Sequence, residues 1–181
     1  MDNQVLLKIA RDTIASKFDK NIIVDKKKLL SDYPFLNELG ATFVTLTLNK
    51  ELRGCIGTLE ASHTLLDDLV VNANNAAFHD PRFFELSFEE FKNIDLEVSV
   101  LSKPIKLEYE NLLDLKSKIK PFIHGVILSD GQRRSTFLPQ VWEQLPEFED
   151  FFTHLCYKGN FPENCFSTHP DVYIYEVTKV K

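Results

Sequence analysis

Inside the run Leu52-Arg53-Gly54-Cys55-Ile56-Gly57, a guanidinium stands two residues from a thiol. The thiolate is the reactive form of cysteine, and a neighbouring cation lowers the pH at which it forms. Cys55 is therefore a candidate nucleophile or covalent anchor, with Arg53 as its activating charge and His79 as a candidate general acid or base. The same residue types have plainer uses. Free cysteine packs as a small apolar side chain. Glycine inside a strand marks a bulge or the close approach of another backbone. An arginine can close an internal ion pair, here Arg53 with Glu97 or Arg82 with Asp80. The pairing with Arg53 is the favoured role for Glu97, ahead of proton acceptor.

Further candidates would bind rather than react. The planar fork of arginine suits carboxylate or phosphate, which makes Arg53, Arg82 and Arg134 candidates for a small anionic ligand. Thr136 shares a strand face with Arg134, whereas Arg133 reads as a solvated side chain. Asn72, Asn75 and His79 recur at helical spacing, either as the wet side of a helix or as a hydrogen-bonding wall. His154, Cys156, Cys165 and His169 lack the paired spacing of a zinc site, and His154 and Cys156 point to different sides of a helix, so no metal site is expected. There is no glycine-rich phosphate loop, no His-Glu-x-x-His and no Gly-x-Ser-x-Gly, and no cofactor is expected. Trp142 and the phenylalanines at 148–152 read as core rather than as a stacking platform for bases.

The elements that must position these residues follow from periodicity. Apolar residues at helical spacing over 4–18 predict a first helix. Alternation over 41–48, a turn at Asn49-Lys50 and a return over 51–60 predict a hairpin, on whose second strand Arg53 and Cys55 share a face if the strand is regular. Lys26–Lys28 reads as a solvated loop or helix face. Thr64 and Asp67 open a helix that Pro81 ends, and Ser87 with Glu90 forms a capping-box signal. A strand over 94–101 and a helix near 108–119 come next. Asp130-Gly131 predicts a type I′ hairpin turn. Pro139 starts a short helix, Phe148–Leu155 lie on another that stops near Gly159, and 171–178 close the chain as one strand. Hairpins with intervening helices, without regular βαβ alternation, give an α+β class with a largely antiparallel sheet and flanking helices.

The chain of 181 residues, with a formal charge of -6, has the composition of one well-buried domain. The acidic balance argues against RNA as a partner without excluding a local basic pocket. No apolar run reaches transmembrane length and the N-terminus carries no signal-like segment. Three cysteines cannot all pair within one chain, so free thiols and a cytoplasmic location are expected.

Four segments in order, LRGCIGTLE at 52–60, NANNAAFHDPRF at 72–83, LEVSVLS at 96–102 and TFLPQVWEQ at 136–144, resemble the AMMECR-one domain family in its small stand-alone form. The resemblance covers nearly the whole chain. It implies one domain over 1–181, made of a larger subdomain holding both termini and a smaller inserted part with a cleft between them. It also implies association with Memo-like and radical-SAM proteins (the AmmeMemoRadiSam system) and a link to RNA modification. No catalytic residue is implied. The segment Tyr157-Lys158-Gly159-Asn160 departs from the family's Lys-Ala-Gly-Leu pattern, and the position of His79 varies in the family. Two functions follow as expectations: an enzyme or enzyme component using Cys55 on a small or RNA-borne anionic substrate, or a non-catalytic adaptor or ligand-binding module for those partners.

Overall fold

A computed structural model describes residues 3–162 and 164–181. In chain order the elements are α1 (Asn3–Ala15), α2 (Lys26–Asp32), β1 (Leu39–Leu48), β2 (Glu51–Gly57), β3 (His63–Thr64), α3 (Leu65–Phe78), α4 (Phe88–Phe91), β4 (Ile94–Leu101), β5 (Ile105–Leu107), α5 (Leu112–Lys118), β6 (Gly125–Ser129), β7 (Arg134–Phe137), α6 (Phe148–Lys158), β8 (Asp171–Tyr175) and β9 (Val177–Val180). Short 3-10 turns occupy Pro34–Asn37, Pro139–Glu143 and Cys165–Thr168. The class is α+β with antiparallel pairing, as expected, but the strands form two sheets. One has the order β2-β1-β4-β9 with β3 paired to β1, and the other has the order β5-β8-β6-β7. Among the described residues no helix is long and apolar enough to cross a membrane.

The chain divides into two compact units, the first comprising residues up to Leu101 together with Thr178–Lys181 and the second Ser102–Val177. In the first, α3 lays Leu66, Leu69, Ala73 and Ala76 against the Val44, Leu46, Leu96 and Val98 face of the sheet, and α1 adds Leu6, Ile9 and Ile14. The local signals that set α3 are the ones read from sequence. Thr64 Oγ1 accepts from Asp67 N at its start, and the helix ends at His79, two residues before Pro81. In α4 the capping box closes in both directions between Ser87 and Glu90. Asn49 and Lys50 both have positive φ, the geometry of a type I′ turn.

The second unit is built around Trp142, Phe151, Phe152, Leu155 and Val172, with α6 packed on β7. Three expectations are corrected here. The 171–178 run is two strands in different sheets, β8 and β9, divided at Glu176. Asp130-Gly131 is not a two-residue turn. The hairpin closes over 130–133, with only Gly131 at positive φ and the Asp130 carboxylate accepting from Gln132 N and Arg133 N, an Asx arrangement. Of the three cysteines, Cys156 and Cys165 are joined in a disulfide and only Cys55 carries a free thiol. The bridged sulfurs are not available as the thiolate ligands of a zinc site, and α6 itself runs to Lys158 with Gly159 as its C-cap.

Candidate functional site

Among the described residues β2 lies at the edge of its sheet, and one side of its backbone has no strand partner there. At Cys55 the loop after α3 supplies one. The Asp80 carboxylate accepts from Cys55 N at 2.9 Å, and Arg82 Nη2 donates to Cys55 O at 3.1 Å. Arg82 also grips Asp80 through Nε at 2.9 Å and Nη2 at 2.7 Å. This is the Arg82–Asp80 ion pair expected from the sequence. Asp80 is buried, and the Arg82 guanidinium together with the Cys55 and Arg82 amides holds its carboxyl well below the usual carboxylate range.

Arg53 acts on the other end of the same loop. The β1–β2 register pairs Leu46 with Gly54 but Thr47 with Leu52, which leaves Arg53 as the extra residue of a bulge. The bulge interrupts the alternation on which a shared face for Arg53 and Cys55 depended. The guanidinium instead reaches Glu90, with Nε to Oε1 at 2.8 Å and Nη2 to Oε2 at 3.1 Å, and donates from Nη2 to Phe84 O at 3.0 Å and Glu85 O at 3.3 Å. The expected Arg53–Glu97 pair is therefore not formed. Arg53, with support from Ser87, lowers Glu90 to about 2. The ring of Phe83 lies 5.8 Å from the Arg53 guanidinium and 5.4 Å from that of Arg82.

Gly54 explains its own place in the motif. A Cβ there would sit 2.1 Å from the carbonyl oxygen of Ala76 in α3, so helix and strand touch backbone to backbone. Gly57 is similarly confined by the ring of Phe43 and by Thr42 O.

Cys55 itself is half-buried, and its Sγ lies 3.3 Å from Thr45 Oγ1. Thr45 pairs with Cys55 on one side and with Glu97 on the other, so the three stand in one row across β2, β1 and β4. Glu97 meets Lys181 at 3.0 Å and Lys179 at 3.8 Å. A cavity of about 800 Å³ opens beside this row, with Arg11, Thr45, Thr47, Lys50, Asp95 and Glu97 in its walls.

The Asn72, Asn75 and His79 stripe does not act as one face. Asn72 is 2% exposed and donates to Thr42 O at 3.1 Å and Asp68 Oδ2 at 2.9 Å. Asn75 is half-buried, and His79 is an exposed helix cap. The buried centre is Asp68, which sequence reading missed. Its carboxylate accepts from Thr42 N and Oγ1, both at 2.7 Å, and from the Thr58 hydroxyl. The available signal was Thr42, a hydroxyl on the same alternating face as Val44 and Leu46, together with an acid one turn before Asn72. The network ties α3 to β1 and to the residue that follows the glycine-flanked motif.

Arg134 and Thr136 belong to the second unit. Arg134 is exposed at the start of β7, and Thr136 Oγ1 lies 3.2 Å from the Tyr175 hydroxyl. Among the described residues no group of three or more histidine, cysteine or acidic side chains is arranged to hold a metal ion.

The whole chain is similar to known proteins. The family model AMMECR1 matches residues 7–180. A protein of Methanothermobacter thermautotrophicus is 36% identical over 178 residues, covering 96% of this chain and 90% of that protein. One from Sulfurisphaera tokodaii is 42% identical over 171 residues, covering 90% and 74%. The crystal structure of PH0010, an uncharacterized protein of Pyrococcus horikoshii, superposes with a TM-score of 0.75 at 29% identity, over 97% of this chain and 88% of that one. With a family model spanning nearly its whole length and a shared fold behind it, the chain belongs to the AMMECR1 family.

Proposed function

We propose that this protein is a partner-docking module, and that its glycine-flanked motif serves to hold the 83–86 loop in a fixed shape. One observation carries the reading. Arg53 donates to the backbone carbonyls of both Phe84 and Glu85, while the Phe84 side chain on this clamped stretch is 94% exposed. A large apolar ring held out on a clamped loop loses little conformational entropy when it enters a partner's pocket. The arginines are also bonded inward, Arg53 to Glu90 and Arg82 to Asp80, which favours a structural role for them over capture of an anionic substrate.

The partners this reading assigns are the Memo-like and radical-SAM proteins implied by the family resemblance. Purified partners from the same genome are titrated against wild type, Phe84→Ala and Cys55→Ser. Binding by wild type, weakened in Phe84→Ala by about 2 kcal/mol or more, roughly thirtyfold, and unchanged in Cys55→Ser, is the expected result. Equal binding by Phe84→Ala, or no binding by wild type, contradicts it.

A second reading keeps Cys55 as a nucleophile on a small or RNA-borne anion, with His79 as acid or base. It is favoured by the free, half-buried thiol and the Thr45 hydroxyl that can donate to a thiolate. Alkylation of Cys55 by iodoacetamide across pH separates the two. Fast labelling below neutrality supports the nucleophile, and labelling that rises only toward the ordinary thiol range of about 8.5 supports docking.

A further inference from the structure

The second unit holds a cysteine pair for which the docking reading has no use. Cys156 lies in the last part of α6 and Cys165 opens the 3-10 turn Cys165–Thr168. Their sulfurs are joined across a separation of nine residues. Both belong to the aromatic core, at 7% and 4% exposed. Both also line an open cavity of about 1090 Å³, together with Tyr109, Phe152, Phe166 and His169. The bridge is thus shielded on the core side and approachable from the cavity.

The bridge fastens a part of that cavity's wall. From Cys165 the 3-10 turn carries Phe166, whose ring packs edge-on against Tyr109 and Phe152. The turn ends at His169, which has a left-handed backbone (φ 49) and stacks on Tyr109 with centroids 4.3 Å apart. The fully buried side chains at the centre of the unit, Leu115, Leu128, Trp142 and Phe151, stand on α5, β6, the Pro139–Glu143 turn and α6, none of them on the Cys165–Thr168 turn. Opening it therefore frees a local segment rather than the whole unit.

We infer that Cys156 and Cys165 are a reversible redox pair that fixes or releases the Cys165–Thr168 turn, and with it the wall of the cavity. The co-reactant is a dithiol. One of its thiolates attacks a bridge sulfur, the Cys156–Cys165 bond breaks, and a mixed disulfide forms while the other cysteine leaves as thiolate. The second thiolate of the reductant then attacks the mixed disulfide. The dithiol departs as a cyclic disulfide, both cysteines are thiols, and two electrons and two protons have passed to the protein. Re-formation of the bridge runs the same exchange in reverse.

The test uses the full chain after equilibration with dithiothreitol or with oxidised glutathione. Iodoacetamide labelling in denaturant, read by mass, counts thiols. Limited chymotrypsin digestion, mapped by mass, reads cleavage after Phe166. The oxidised protein is expected to take one label, at Cys55, and the reduced protein three. Cleavage after Phe166 is expected to be about tenfold or more faster in the reduced state, and to slow again on reoxidation. Cys165→Ser is expected to be cut at the fast rate in both buffers, and Cys55→Ser to keep the redox difference. Three labels in the glutathione-treated protein, or equal cleavage of wild type in the two states, overturns the inference. The wild-type comparison decides the matter if Cys165→Ser fails to fold.

Discussion

The buried residues of the first unit's core are valine, leucine, isoleucine and alanine throughout, with rings such as Phe18, Phe78 and Phe91 only half-buried at its margin. The core of the second unit is dominated by rings: Trp142 stacks on Phe151 at 3.6 Å and 5°, Phe151 and Phe152 meet edge to face, and a disulfide lies among them. The first unit has long elements, a 14-residue α3 against a 10-residue β1, whose aliphatic faces bury area along their length. Its charged side chains, Asp80, Arg82, Arg53 and Glu90, fix loops rather than fill space. The second unit, confined to Ser102–Val177 with shorter strands, relies on large rings and a cross-link. Where long elements already supply the core, a family motif is free to shape a loop. Where they do not, cysteine and phenylalanine supply the stability.

The comparison breaks most sharply at Gly54. Gly54→Ala sets a methyl against the Ala76 carbonyl, a backbone atom that cannot step aside without moving α3. The expected cost is about 4 kcal/mol or more in urea unfolding, reported by probes in the first unit. Reduction of Cys156–Cys165 comes next. A short closed loop predicts a loss of about 3 kcal/mol, confined to probes in the second unit. An equal loss in both units would remove the distinction.

The Arg53–Glu90 pair gives a pH test. Glu90 ionises near 2 in the fold against an ordinary 4.5, so its contribution is complete above about pH 4.5 and disappears as pH falls through about 2. Wild type is expected to exceed Glu90→Gln by about 1–2 kcal/mol at pH 6, the partly exposed carboxylate being screened. That gap should narrow steadily from pH 4.5 downward, as thermal melts at each pH would show. The smallest effect is at Phe84. Phe84→Ala should change stability by no more than about 0.5 kcal/mol, since the ring is exposed, and act on binding alone.

What could be read from the sequence was local. Thr64, Ser87 and Gly159 mark helix ends through groups a few residues apart, and the 41–48 and 94–101 strands announce themselves by alternation. What could not be read depends on distant partners. Glu90 was legible as a capping-box acid, yet its carboxylate also pairs with Arg53, 37 residues away, and nothing local predicts the second bond. The bulge at Arg53 exists only relative to β1, and without it the regular alternation put Arg53 beside Cys55 and Glu97. The 171–178 run carries no glycine or proline where it changes sheets at Glu176. Cysteine spacing alone did not reveal that Cys156 and Cys165 face each other across a helix end.

In the docking proposal Arg53 holds the 83–86 loop and does not activate Cys55. Hydrogen exchange on an Arg53→Met variant tests it directly, because Leu86 N bonds to Ala77 O and Phe83 N to Asp80 O in the clamped loop. Exchange at Phe83–Leu86 is expected to rise about tenfold or more in Arg53→Met and to stay at the wild-type rate in Cys55→Ser. Unchanged protection of that loop in Arg53→Met, together with slower alkylation of Cys55, would contradict it.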